Sequence, residues 1–128
     1  MKNRIWTPSG NAQQVEIDIA ISQLQYSINQ LEVERQYHRN EGVRTLSLLE
    51  EVRYALKYLR KNHGIVISIV EYQTMIREEK RHKKEVDLLG IMVHDCNELI
   101  EMQKQQIEEL AKKRETLATK ILEFKGRQ

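Results

Sequence analysis

The chain has 128 residues, 31% charged, 40% hydrophobic and 5% aromatic, with 21 Lys and Arg against 19 Asp and Glu. That length suits a single domain, and the near-balance of charge argues against a protein dedicated to neutralising nucleic acid. One Pro and five Gly supply too few turns for a sandwich or barrel, and so few aromatic residues are thin for a compact globular core.

The N-terminal stretch, residues 1–10, carries Pro8 and Gly10 and is expected to be non-helical, with Asn11 and Gln14 capping the first helix. Ile5 and Trp6 would then be free to pack back on Leu117, Ile121 and Phe124. No apolar run follows the first basic residues, so no secretory signal peptide is expected. The lone Cys96 rules out an internal disulfide and a CxxC-type zinc site. It suits a reducing compartment, so the expected location is the cytoplasm or an intracellularly assembled particle.

From residue 17 an apolar seam alternates in steps of four and three: Ile17, Ile21, Leu24, Ile28, Leu31, Arg35, His38, Gly42, Thr45, Leu49, Val52, Leu56 and Leu59. A 3.5-residue repeat keeps one stripe of a helix turned to one partner, which is the signature of a coiled coil. The seam predicts a first arm near 11–62. Asn62-His63-Gly64 reads as a helix C-cap. Ser68 and Glu71 then form a capping box, with Ile67 and Tyr72 as its hydrophobic staple. The apolar run Ile65-Val66-Ile67-Ser68-Ile69-Val70 is far too short to span a membrane.

The second arm, near 69–125, carries its own unbroken seam: Tyr72, Met75, Glu79, His82, Val86, Leu89, Val93, Cys96, Ile100, Gln103, Ile107, Leu110, Arg114, Leu117, Ile121 and Phe124. A short connection makes the arms antiparallel. Folded about the turn, the seams match level by level: Leu59 with Tyr72, Leu56 with Met75, Leu31 with Ile100, Ile21 with Leu110. Arg35 falls level with Cys96, and Arg114 with Ile17. The expected fold is all-α, a long antiparallel two-helix coiled-coil hairpin forming one domain over 1–128. At 1.5 Å per residue such arms make a rod of roughly 75 Å. Gly42 and Gly90 leave a second possibility, a break near each that gives a three- or four-helix bundle.

Apolar residues also recur off the seam. Ile19, Tyr26 and Val33 repeat every seven residues in the first arm, and Leu88, Ile91, Met92, Leu99 and Met102 form the counterpart in the second. Such stripes predict protein contact, through self-association or docking on a partner. The tip residues Ile65, Val66 and Ile67 are a further candidate contact, through backbone pairing of a short exposed strand.

The chemical signals are weak. Glu79 and His82 make one Glu-x-x-His, where carboxylate di-iron bundles use two with further Glu residues, so no metal or cofactor is expected. His94-Asp95-Cys96 is contiguous on a helix and points its side chains in different directions, which is no Cys–His catalytic pair. Cys96 is read as a small core residue. The basic cluster Arg77, Lys80, Arg81, His82, Lys83 and Lys84 is interleaved with Glu78, Glu79 and Glu85 and has no aromatic platform. It reads as a solvated face, and nucleic-acid binding through 77–84 ranks last. There is no Gly-rich phosphate loop, nucleophile elbow or paired-carboxylate cleft, so no enzyme is expected.

The predicted architecture resembles the helical hairpins of prefoldin subunits and of flagellar or type III export stalk proteins. The resemblance is one of architecture and carries over no site residue. The leading expectation is a non-enzymatic structural or assembly subunit that self-associates or docks on a larger complex. A chaperone or export adaptor is the first alternative. A small regulator or inhibitor of viral or mobile-element type, binding a protein partner, is the second.

Overall fold

The computed structural model describes residues 3–61 and 68–126, with side chains described over 12–61 and 68–126. Helix α1 runs Asn3–Lys61 and helix α2 runs Ile69–Gly126. The protein is an all-α helical hairpin of two long helices that pack against each other. Neither helix breaks at Gly42 or Gly90, so the three- and four-helix alternatives are not what forms. A glycine inside a helix costs about 1 kcal/mol relative to alanine. Seam burial near each glycine offsets that cost, since Leu49 and Cys96 lie one to two turns away and are nearly inaccessible.

The start of α1 departs from the sequence reading. Residues 1–10 read as non-helical, yet α1 begins at Asn3 and passes through Pro8 and Gly10. Extending an existing helix gains one hydrogen bond per residue at little nucleation cost. Pro8 lies five residues after Asn3, within the first turn and a half, where a missing N–H removes a single helical bond. The expected packing of Ile5 and Trp6 falls outside the described side chains, and with α1 starting at Asn3 the arm does not begin near residue 11 and Asn11 is an interior helical position, not its cap.

At the start of α2 the Ser68 half of the expected capping box forms. The Glu71 backbone N–H donates to Ser68 Oγ at 3.0 Å, and the Tyr72 N–H donates to the Ser68 carbonyl at 3.1 Å. Glu71 in the first turn complements the helix dipole, as Arg60 and Lys61 do in the last turn of α1. The Gly64 cap and the Ile67 staple lie outside the described residues.

The chain divides into two compact units. In one, the part of α1 up to Glu32 packs with α2 from Glu98 onward; the other is Val33–Asn97. In the first unit the core is Ile28, Ile100 and Ile121. In the second it is Leu49, Leu56 and Cys96, with the polar Thr45 and His82 buried beside them. All eight are seam positions, and every other seam residue except Arg114 is at least half-buried. Hydrogen bonds between the helices fix the register. Asp18 meets Arg114 in the first unit and Arg35 meets Asn97 in the second, each within one residue of the expected level.

Candidate functional site

A two-helix core leaves much apolar surface uncovered, because each helix can bury only one stripe. In the first unit Ile19, Tyr26, Leu99 and Met102 are exposed. In the second, Val33, Leu88, Ile91 and Met92 are exposed, Leu88 and Ile91 by more than half their surface at 53% and 58%. The tip candidates Ile65, Val66 and Ile67 lie outside the described residues.

The α2 face of the second unit has a regular composition. Arg81, Lys84, Leu88, Ile91 and Asp95 follow one another in alternating steps of three and four, and all five are exposed. That spacing makes a second seam on the side of α2 turned away from α1. Its middle is apolar, its N-terminal side basic and its C-terminal side acidic.

A different face of the same unit holds a shallow apolar groove. Gly42, Val43 and Leu46 of α1 and Val86, Leu89, Gly90 and Val93 of α2 line it. A Cβ built at Gly42 or Gly90 meets nothing within 4 Å, and neither glycine has a positive φ.

The polar seam residues occupy distinct settings. Arg35 Nη1 donates to Asn97 Oδ1 at 2.8 Å, a partly buried bond that ties the helices together. Arg114 instead turns outward, its Nε donating to Asp18 Oδ1 at 2.6 Å and its Nη2 to Oδ2 at 3.3 Å. The Asp18 carboxylate, by hydrogen bond and by charge, holds that guanidinium still more firmly protonated. His82 is buried, its Nδ1 without a hydrogen-bond partner and 3.9 Å from Glu85 Oε2.

One cluster was not singled out by the sequence. Glu34, His38 and Cys96 bring a carboxylate oxygen, a ring nitrogen and a thiol within 4.8 Å of one another, the one such trio among the described residues. Glu34 and His38 are one turn apart on α1, and Cys96 faces them from α2. Burial pushes the Cys96 thiol up from its ordinary value, as do the carboxylates of Glu34 and Asp95, while the Arg35 guanidinium pulls it down. The signal was present in the sequence as two ligand-type residues, His38 and Cys96, at neighbouring seam levels with a carboxylate four residues before the histidine. Glu79 and His82 are joined by no third ligand-type group among the described residues.

No helix of the described residues is long and apolar enough to cross a membrane. No family model, curated protein or solved structure matches the chain.

Proposed function

We propose that this chain is a non-enzymatic assembly subunit that works by binding protein, and that its first partner is a second copy of itself. The observation that carries the reading is the outward seam of α2, where exposed Leu88 and Ile91 lie between Lys84 and Asp95. Two such faces are self-complementary when antiparallel. With a dyad between Leu88 and Ile91, each Leu88 meets the other copy's Ile91 and each Lys84 meets the other copy's Asp95. A two-fold interface requires this reciprocity, in which a patch carries both halves of every contact. It also gives the basic cluster of residues 80–84 a role, as the half of a charge pattern that steers and orients pairing.

The test is molar mass by light scattering, with helicity followed by circular dichroism. Leu88→Asp with Ile91→Asp should yield a monomer of unchanged helicity. Lys84→Asp should weaken association roughly tenfold, since two exposed pairs turn repulsive at about 0.2–1 kcal/mol each. Adding Asp95→Lys to Lys84→Asp should restore it. A wild-type monomer at all concentrations, or a swap that fails to rescue, refutes the antiparallel pairing.

A further inference from the structure

We propose that Glu34, His38 and Cys96 form a binding site for a divalent cation of the zinc class. The donor set is a thiolate, an imidazole and a carboxylate, the mixture that a borderline-soft cation takes and that calcium or magnesium does not. One thiolate and one carboxylate neutralise a divalent charge, so the filled site carries no net charge into the helix seam. Three protein ligands leave a fourth position for water, and the exposed side of Glu34 gives the ion its way in.

The geometry is near what such an ion needs. Ligand atoms around tetrahedral zinc stand about 3.4–3.6 Å apart, given the bond lengths of zinc to sulfur, nitrogen and oxygen. His38 Nε2 and Glu34 Oε1 are already 3.5 Å apart, long for a good hydrogen bond but matched to two ligands of one ion. The whole trio lies within 4.8 Å, so its ligand atoms need to close by only about an ångström, the scale of small side-chain torsion changes.

The protein satisfies the His38 ring only in part. His38 is 13% exposed and its Nδ1 is buried with no hydrogen-bond partner. Buried polar atoms in native proteins are normally satisfied. The Nε2 of the same ring has only the 3.5 Å contact to Glu34 Oε1, which a shared cation would replace. Arg35, whose charge opposes a cation beside Cys96, is engaged with Asn97. The site sits on the inner seam, so the proposal stands independently of self-association through the outer face.

Cobalt(II) is the probe, titrated into reduced, chelator-treated full-length chain. The expected result is one equivalent bound, with a thiolate-to-cobalt charge-transfer band in the near ultraviolet that zinc abolishes on competition. Cys96→Ser should lose the band. Glu34→Gln, on an exposed side chain that leaves folding intact, should keep a weaker band and bind at least about tenfold less tightly. Helicity by circular dichroism accompanies each variant. Cobalt bound without the thiolate band overturns the site, as does no binding, and so does equal affinity in Glu34→Gln and wild type.

Discussion

Replacing Gly42 and Gly90 together with alanine tests whether both helices run through the middle of the chain and whether the groove between them is open. Each glycine is helical, neither has a positive φ, and a Cβ at either meets no atom within 4 Å. Alanine therefore gains the full helix-propensity difference of about 0.8–1 kcal/mol per site, because the unfolded chain loses freedom while the folded chain pays no steric cost. The two sites line one groove, so a coupling of a few tenths of a kcal/mol is expected on a total near ~2 kcal/mol. With a urea slope of about 2 kcal/mol/M the midpoint rises by about 1 M. The assay is urea unfolding followed by circular dichroism at one fixed chain concentration, since association makes stability concentration-dependent. An unchanged or lower midpoint with an unchanged slope would refute the reasoning. It would mean either that a helix breaks at these residues or that something packs against them in the groove.

Two further substitutions probe the ends of the argument. Ser68→Ala removes the side-chain acceptor of the Glu71 N–H and should cost about 1 kcal/mol in the same unfolding assay. Leu56→Ala empties a side chain that is 1% exposed and should cost about 3–5 kcal/mol, seen as a large fall in thermal midpoint; a loss under about 1 kcal/mol would mean the seam is loosely packed there.

The inward seam was legible because its period is a property of helix geometry and needs no knowledge of what faces it. Leu56 and Ile100 are the most buried side chains of their units, and both are placed by spacing alone. The Ser68 cap was equally legible, being a local contact three residues long. The start of α1 was not, because Pro8 and Gly10 carry strong local penalties while the gain from extending a long helix appears in no local pattern. Continuity through Gly42 and Gly90 depends likewise on a sum over many seam contacts. The Glu34, His38 and Cys96 cluster was hidden for another reason. Register placed Cys96 level with Arg35, and only side-chain directions reveal that His38 and Glu34, one turn apart, converge on it.

The hairpin connection also orders how this chain acquires its structure. The cap at Ser68 closes a contact over three residues, whereas Arg35 with Asn97 spans 62 and Asp18 with Arg114 spans 96. Loop-closure entropy rises with that separation, so contacts beside the turn form first and each one shortens the loop for the next. Folding then proceeds as a zipper from the turn outward, with a search that stays local at every step. Fast folding follows, because the rate falls with the sequence distance that must be closed and a zipper never has to close the long distance in one step. The free ends assemble last and open first, so amide exchange should be quickest there and slowest around Leu49 and Leu56.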